Sequence, residues 1–371
     1  MRDEARLLID LCHTELDAES AAHLRETLNT RSDVLAWPWF LDQAVTHRVA
    51  CLVGRNLNRY DLCPTSREPG MWFPYRALLT SLYAANAQRN EELVRELAVV
   101  TAALADGGVL AVLRKGPVLL HELYHDVGVR QMKDLDIMVH PDDTTRAKQI
   151  LGELGYAEGT RSRNGRRLAP IPRRIEVFQR LHMPNILMHR PAASRFVDWF
   201  TVDISLNQFL PGSGWSIPTT DLPDRSRRIL LYGFPVHVLT PEHQLLDLAT
   251  HLYKEATTLM YVHAGKDLCL YKFLDIAQAG RSGDIDWAEF VRLVHVFDVA
   301  VPVYLSCYFA AVLYPDAIPP DVLAGLRPDD VSYLNKVGSV EGAEYEWRTD
   351  FLTRLFDPGR AREAPRSKSP L

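Results

Sequence analysis

The sequence predicts an α+β fold in which a mixed β-sheet core is flanked by helical regions at both ends of the chain. Apolar residues recur at helical spacing in the first hundred residues, as at Leu93, Leu97, Val100 and Leu104. Short apolar runs separated by turn residues then predict strands, and helical spacing returns near residue 241. We expect a helical N-terminal region (1–105), an α/β core (106–240), a helical C-terminal domain (241–357) and a disordered tail (358–371).

Composition narrows the class of protein. The chain has 371 residues, of which 47% are hydrophobic and 24% charged, as in an ordinary globular protein with a large core. A formal net charge of −5 argues against a general nucleic-acid binder. Neither a signal-peptide pattern nor an apolar run of membrane-spanning length is present, so we expect a cytoplasmic protein without a membrane partner. The cysteines are widely spaced, which predicts reduced thiols: Cys12, Cys51, Cys63, Cys269 and Cys307.

The elements follow in order along the chain. Helices are predicted over 38–58 and 71–105, with a loop over 62–74 between them. After Asp106-Gly107-Gly108, the run VLAVLRKG predicts a buried strand that ends at Lys115-Gly116. A short helix over 117–125, a strand over 134–140 and a helix over 142–154 come next. Five further strands are predicted between 173 and 239, the first of them in VFQRLHM (177–183). Thr240 and Pro241 then begin the C-terminal helices.

Two aspartates in the predicted strand DLDIMVH carry the most information about function. Residues i and i+2 of a strand project from the same face, so Asp134 and Asp136 lie side by side, with Cα atoms roughly 6.5–7 Å apart. Two carboxylates at this spacing can share magnesium ions, which sit about 3.5–4 Å apart in two-metal sites. Acids on an otherwise apolar strand are costly to desolvate unless a cation or hydrogen bonds compensate them. The spacing therefore indicates a candidate metal site.

The turn before the short helix is a candidate phosphate site. Glycine at 116 lets backbone N–H groups approach phosphate oxygens closely, and Lys115 beside it can add a positive charge. The Lys-Gly pair alone is weak evidence, and so is the pair of aspartates. Their order along the chain, with strand, glycine turn, short helix and acidic strand, strengthens both interpretations.

The segment KGPVLLHELYHDVGVRQMKDLDIMVHPDD resembles the signature of the uncharacterised nucleotidyltransferase family, within the DNA polymerase beta-like superfamily. That pattern has a strand ending in Leu-Lys-Gly, a helix, and then Arg-x-x-x-Asp-hydrophobic-Asp, which Arg130, Asp134 and Asp136 match. HRVACLV, PEHQLLDLATHLYKE and KFLDIAQA extend the similarity over most of residues 30–315. The resemblance implies a nucleotidyltransferase-like core. The predicted nucleotide-binding residues are Lys115, Gly116, Arg130, Lys133 and Lys254, and Lys254 is equally well interpreted as a solvated lysine.

The resemblance also implies a third carboxylate on a neighbouring strand. Asp203 in FTVDISL is the candidate, and Asp198 is the alternative, which strand alternation would point to the opposite face. The family shows an acid, a hydrophobic residue and then His, whereas this chain has Ser205 in the place of that His. Asp134, Asp136 and Asp203 are therefore the predicted catalytic and metal-binding residues.

The function that the resemblance implies is the transfer of a nucleoside monophosphate from an NTP, by default ATP, to a hydroxyl, with release of pyrophosphate. Two Mg²⁺ ions would neutralise charge on the phosphates. The acidic net charge favours a small-molecule or peptide acceptor over nucleic acid. Two alternatives stay open: a toxin-type enzyme that modifies tRNA, which predicts a basic surface from the arginine-rich segment 161–174 to the cleft, and a degenerate member that binds nucleotide or a partner without catalysis.

One further pattern is open to two interpretations. His243, Asp247, His251 and Glu255 recur every four residues along one predicted helix face. Such spacing permits a pair of metal ligands, but an ordinary polar face with i, i+4 pairing explains it better. His251 can still line the cleft, since the family tends to have a histidine near this position.

Overall fold

The protein is described from a computed structural model, which covers residues 1–31, 34–62, 75–162, 167–338 and 344–366. Its α-helices are α1 (Asp3–Leu11), α2 (Ala18–Arg31), α3 (Trp37–Thr46), α4 (Ala50–Arg59), α5 (Arg76–Asp106), α6 (Gly116–Leu119), α7 (Thr144–Glu153), α8 (Arg173–His182), α9 (Leu222–Arg225), α10 (Pro241–Thr257), α11 (Leu259–His263), α12 (Leu270–Arg281), α13 (Trp287–Val296), α14 (Ala300–Leu313), α15 (Pro320–Gly325) and α16 (Phe351–Leu355). Its strands are β1 (Val112–Leu113), β2 (Leu135–Met138), β3 (Thr160–Arg161), β4 (Leu168–Ala169), β5 (Asn185–Pro191), β6 (Trp199–Ser205), β7 (Ser226–Leu231), β8 (Phe234–Leu239), β9 (Lys336–Val337) and β10 (Tyr345–Glu346).

A six-stranded mixed sheet with the order β5-β6-β2-β1-β8-β7 forms the centre of the molecule. The pairs β2–β6 and β1–β8 are parallel, and the other neighbours are antiparallel. Helical segments precede and follow this sheet in the chain. The predicted α+β class, with a mixed sheet core between helical regions, is confirmed.

One contiguous cluster of buried apolar side chains joins the three predicted regions. It includes Leu8 and Leu97 from the N-terminal helices, Leu113 and Ile137 from the sheet, and Leu252 from α10. Burial of these faces in one core explains why helices with modest intrinsic propensity form at all. Within the described ranges, every helix is too short or too polar to cross a bilayer.

Several predicted elements require correction. The predicted helix 38–58 is two helices, because Arg48 between them adopts a left-handed backbone conformation with φ 58°. The predicted strand 177–183 lies almost wholly in the helix α8, since its apolar residues Val177, Phe178 and Leu181 fit a helical spacing. The short pair β9–β10 interrupts the region predicted to be entirely helical. The predicted loop 62–74 lies outside the described residues from position 63 onward.

The expectation of a disordered tail from residue 358 is wrong for the part described. Arg360 is buried, and its Nε and Nη2 each donate to Asp267 at 2.7 Å. Asp267 is almost fully buried before α12, so this bidentate pair fastens the end of the chain to the C-terminal helices. The composition of the tail gave no sign of this contact, because it depends on one distant aspartate.

Candidate active site

Asp134, Asp136 and Asp203 lie close together at one edge of the cavity. Asp136 on β2 and Asp203 on β6 are direct partners in the parallel ladder between these strands. The predicted strand 134–140 is shorter in the structure, so Asp134 lies one residue before β2, where the charges of Asp136 and Asp203 both act on it. Leu135 and Ile137, which have the opposite alternation, are fully buried in the core. The alternation of β2 therefore separates an acidic face from an apolar one.

The electrostatics of this face oppose three ionised carboxylates. Burial, followed by the charges of Asp136 and Asp203, raises the pKa of Asp134 to about 7. Burial and then the charge of Asp136 also raise the pKa of Asp203. The neighbouring cation Lys115 lowers both, but does not cancel the effect of burial. Neighbouring carboxylates repel one another when they are ionised, and a cationic ligand between them would relieve this repulsion.

Each of two acids already has a polar partner. Lys115 Nζ lies 3.5 Å from Asp136 Oδ1, and Asn185 Nδ2 donates to Asp203 Oδ1 at 2.7 Å. Among the described residues, no three His, Cys, Asp or Glu side chains close around a point where a metal ion could sit. The donor chemistry nevertheless fits Mg²⁺, which prefers carboxylate oxygens and keeps several waters of its own. Binding would require the Lys115–Asp136 contact to open.

A buried hydrogen-bond network connects Asp203 to β1 and α10. Arg114, at the end of β1, is almost fully buried and forms a bidentate pair with Asp247 on α10. Its Nη1 also donates to Ser205 Oγ at 2.7 Å, and Asn185 Nδ2 lies 3.4 Å from the same hydroxyl. Ser205, which stands where the family shows His, therefore connects the Arg114–Asp247 pair to the amide that holds Asp203.

The turn between β1 and α6 carries its strain at Lys115. Lys115 has φ 52° and ψ −133°, an uncommon conformation for a residue with a side chain. Gly116 has no positive φ, and a Cβ there would meet only the flexible Met132 Sδ, at 3.3 Å. The uncommon backbone of this turn therefore lies at the lysine and not at the glycine, and the lysine ammonium is directed toward Asp136 and His251.

The polar face of α10 is largely buried, and the predicted i, i+4 pairing is present, since His251 Nε2 lies 3.4 Å from Glu255 Oε2. Asp247 pairs with Arg114, and Glu255 accepts a short hydrogen bond from Lys272. His251 Nδ1 lies 3.2 Å from Lys115 Nζ, and its pKa is lowered well below the usual value by burial and then by Lys115. The spacing of four residues thus serves internal ion pairs that join α10 to β1 and α12.

Lys254 is the least compensated cation of this region. Only 6% of it is exposed, and no carboxylate of the described residues lies within ion-pair distance of its ammonium. Burial, followed by the charges of Lys115 and Arg114, lowers its pKa to about 8. A buried ammonium in this state gains stability from an anionic ligand.

All eight predicted site residues line one cavity of about 1560 Å³: Lys115, Gly116, Arg130, Lys133, Asp134, Asp136, Asp203 and Lys254. Most of the cations in the lining come from the turn after β1, from the segment just before β2 and from the helical regions. We call six of them the cationic wall: Arg48, Arg89, Lys115, Lys133, Lys254 and Lys266. Burial and then the charges of Arg48 and Lys266 lower the pKa of Lys133, which indicates that these cations crowd together.

A second part of the cavity lining differs from the cationic wall in the side chains that form it. The β5–β6 wall, as we call it, consists of Asn185, Leu187 and His189 on β5, Trp199 and Thr201 on β6, and Phe196 in the connection between them. Asp198, the alternative third acid, is exposed at the start of this strand pair, outside the register that joins Asp203 to Asp136. The geometry thus distinguishes the two aspartates.

Arg130 contacts the cavity with a guanidinium that is already bound. Its Nε and Nη2 donate to the buried Asp275 at 2.9 and 2.7 Å, and its charge lies 5.2 Å from the ring centre of Tyr271. Tyr124 donates to the same carboxylate at 2.7 Å. Arg130 therefore fastens the approach to β2 onto α12, whatever further contact it makes with a ligand.

Among the described arginines of the segment 161–174, only Arg161 lines the cavity. Arg163 and Arg166 lie outside the described residues. Arg161, on β3, lines the cavity, and Arg173 pairs with Glu176 on the exposed side of α8. A continuous basic surface from this segment to the cleft is not seen among the described residues.

Sequence reasoning missed several lining residues. Asn185 begins a strand with no motif around it, and Lys266 lies in a turn before α12. Arg48 lies within HRVACLV, and its left-handed backbone was the feature that could not be foreseen. In each case the residue reaches the site only through tertiary packing.

Two comparisons with known proteins bear on these observations. A family model described as "Uncharacterised nucleotidyltransferase" matches residues 33–315, well over half of the chain. The match includes both β2 and β6, and all the residues of the cationic wall. No curated protein matches the chain.

Proposed function

The chain belongs to the uncharacterised nucleotidyltransferase family, and we propose that it transfers a nucleoside monophosphate from an NTP to a hydroxyl group of a small molecule or peptide. ATP is the proposed donor because it is the most abundant NTP. We place the reaction in the cytoplasm, in keeping with the buried free thiols Cys12, Cys51, Cys269 and Cys307. Cys63 lies outside the described residues.

One observation carries this proposal. Asp136 and Asp203 are partners across the β2–β6 ladder, Asp134 adjoins them just before β2, and all three line a cavity with a cationic wall. Acids beside a crowd of cations suit a ligand that carries both divalent metal and phosphate. Neither half of the arrangement alone would support a nucleotidyl transfer.

The donor set supports magnesium as the cofactor. Asp134, Asp136 and Asp203 would hold two Mg²⁺ ions through carboxylate oxygens. When bound, these ions would neutralise negative charge that builds up on the phosphates during transfer. Lys115, which contacts Asp136 at 3.5 Å, is free to turn toward a phosphate once the metal replaces it.

In the proposed reaction, the acceptor oxygen forms a bond to the α-phosphorus while the bond from that phosphorus to the bridging oxygen of the leaving group breaks. Pyrophosphate leaves with the electron pair. Asp203 would receive the proton of the acceptor hydroxyl, a role supported by the hydrogen bond through which the Asn185 amide orients it. Lys115, Lys133 and Lys254 bind the triphosphate, and the backbone of Gly116 lies beside them.

Charge also supports an orientation for the two substrates. The triphosphate is strongly anionic and is held by the cationic wall, which adjoins Asp134 through Lys133. The acceptor then approaches from the β5–β6 wall, which adjoins Asp203 through Asn185. The three aspartates lie where the two substrates meet.

Product analysis by mass spectrometry tests the function. The protein is incubated with Mg²⁺, each NTP in turn, and fractions of small metabolites and short peptides, and products heavier by one nucleoside monophosphate are sought together with pyrophosphate. We expect Asp134→Ala/Asp136→Ala to abolish product, whereas Asp198→Asn, a matched change of an acid in the same cavity, retains it.

Unchanged product formation in the double variant would refute the assignment of these aspartates. Binding of NTP and magnesium without pyrophosphate release for any acceptor would instead support a degenerate member that binds nucleotide only. The closed contacts of Lys115 and Asn185 with two of the acids make this second outcome worth measuring.

A further inference from the structure

The β5–β6 wall continues the face that carries the acids. In the antiparallel ladder between β5 and β6, Leu187 is the direct partner of Asp203, so the two side chains project from the same face. Asn185 and His189, two residues to either side on β5, share this face. A molecule that places a hydroxyl beside Asp203 therefore rests on β5.

This wall exposes apolar side chains inside the cavity. Leu187 is 42% exposed and Phe196 is 40% exposed, and both line the cavity together with the partly buried Trp199. Apolar surface of this kind beside a few polar groups is characteristic of small-molecule binding sites. Asn185 and Thr201 add uncharged polar atoms to this wall, and Asp198 adds a carboxylate.

The charges along β5 and β6 give an anionic molecule few cations to pair with. Asp198 and Asp203 face the cavity, Lys148 is paired with Glu158, and the other described cations nearby are Arg161 and, through their charges on Asp203, Lys115 and Lys254 of the cationic wall. The contrast with the cationic wall is sharp, since the two walls belong to one cavity. An anionic acceptor would be repelled by the carboxylates here, and it would compete with the triphosphate for the cationic wall.

We propose that the acceptor is a hydroxyl compound whose hydroxyl adjoins an uncharged, apolar or aromatic surface, and that Leu187, Phe196 and Trp199 hold that surface. The inference rests on the proposed nucleotidyl transfer, because the transfer defines which wall receives the acceptor. It names the chemical class of the second substrate and excludes phosphorylated acceptors, including the RNA backbone.

Three matched phenols test this class of acceptor. Tyrosol, tyramine and 4-hydroxyphenylacetate share a phenol with a two-carbon or one-carbon arm and differ in charge. Their binding to the full-length protein with magnesium and a non-hydrolysable ATP analogue is measured by saturation-transfer NMR of the ring protons. We expect tyrosol and tyramine to bind, and 4-hydroxyphenylacetate to bind roughly tenfold more weakly because of the carboxylates beside the wall.

Serine substitutions connect the binding to the wall. We expect Leu187→Ser and Phe196→Ser to weaken tyrosol binding roughly fivefold, from lost apolar contact, and to leave the affinity for the ATP analogue unchanged. Val177→Ser is the matched control, since Val177 is also 40% exposed but lies outside the cavity lining. Melting temperatures of all three variants show whether the fold is retained.

Three results would overturn the inference: equal binding of 4-hydroxyphenylacetate and tyrosol, no effect of either serine variant, or displacement of tyrosol by bulk tRNA at 150 mM salt, near physiological ionic strength. Failure of the proposed function gives a different signature. In that case the ATP analogue fails to bind, or pyrophosphate is never released, whereas the preference among the three phenols is unaffected.

Discussion

At the scale of single residues, the buried ammonium of Lys254 lowers the stability of the fold, and we propose that the same ammonium binds the triphosphate. Its pKa is lowered to about 8 in the folded protein, from 10.5, chiefly by burial. The unfolded chain therefore binds this proton more tightly than the folded one. The destabilisation is fully present below pH 8 and disappears as the pH rises from 8 to 10.5.

Lys254→Met is accordingly expected to stabilise the protein near neutral pH. We expect a gain of roughly 1–3 kcal/mol in the free energy of unfolding at pH 7, which shrinks above pH 10, and a roughly tenfold loss of NTP affinity. Thermal melts at both pH values and a nucleotide titration measure the two effects. Lys266→Met is the control for stability, because Lys266 is exposed. A variant less stable than wild type at pH 7 would contradict this account.

Asn185 is expected to act by positioning Asp203. Because its amide donates to Asp203 at 2.7 Å, Asn185→Ala should lower kcat roughly tenfold while the KM for NTP changes less than about twofold. Pyrophosphate release with an acceptor found by the product analysis gives both constants. Gln179→Ala, another amide of the cavity lining, is the control and should leave both constants unchanged. A rise in KM without a change in kcat would show that Asn185 binds nucleotide instead.

The predictability of the site differs among its residues for a physical reason. Asp134 and Asp136 were recognisable because strand alternation is a local rule, and their shared face needs no knowledge of the rest of the chain. Asp203 was identified through the family resemblance, and its partnership with Asp136 depends on strand pairing between distant segments. Asn185 and Arg48 follow from tertiary packing alone, so no local pattern indicated them.

At the scale of elements, the pair Arg114–Asp247 joins β1 to α10. Both side chains are almost completely buried, so loss of one partner leaves an uncompensated charge in the core. We expect Arg114→Met to lower the free energy of unfolding by about 3–5 kcal/mol, and Arg114→Met/Asp247→Leu to recover much of this loss. Urea denaturation of the singles and the double gives the coupling energy.

An exposed pair provides the comparison for that cycle. Arg292 pairs with Glu289 within α13, and both side chains are substantially exposed to water. Arg292→Met should therefore change the free energy of unfolding far less than Arg114→Met does, because water screens the exposed pair. If Arg114→Met/Asp247→Leu proved no more stable than Arg114→Met alone, the buried pair would have a role beyond charge compensation, such as the contact with Ser205.

Elements were predicted well where the periodic pattern was long and poorly where it was short. The long helix α5 and the hairpin β7–β8 follow from sustained helical spacing or sustained apolar runs. In α8, ten residues with few apolar side chains satisfied either period, and the helix prevailed. The pairing of β9 with β10 involves two residues in each strand, which is too few to leave a pattern.

At the scale of the whole molecule, the three predicted regions share one hydrophobic cluster and one cavity. We therefore expect calorimetry to show a single cooperative unfolding transition, and the excised segment 106–240 to remain unfolded on its own. Far-UV circular dichroism and hydrogen exchange of that segment measure the second outcome. Two separate transitions in the full chain, or a folded excised segment, would show that the regions are independent domains.

The order of helical and sheet regions was predictable, because composition and periodicity indicate which segments form helices or strands. The cavity was not predictable from these patterns. Its lining draws on α-helical segments before the sheet, on the turn after β1, on β2, β5 and β6, and on the helices after it. Convergence of so many segments depends on the assembled core. The disordered tail was mistaken for the same reason, because Arg360 finds Asp267 only in the folded protein.

The pairing of β2 directly with β6 has an evolutionary consequence. Asp136 and Asp203 lie on two adjacent strands, while α7, the β3–β4 hairpin, α8 and β5 all lie in the segment of chain between them. Insertions and deletions in that segment can remodel the neighbourhood of the incoming substrate without moving the aspartates relative to each other. Such an architecture allows descendants to acquire new substrates while inheriting the same chemistry.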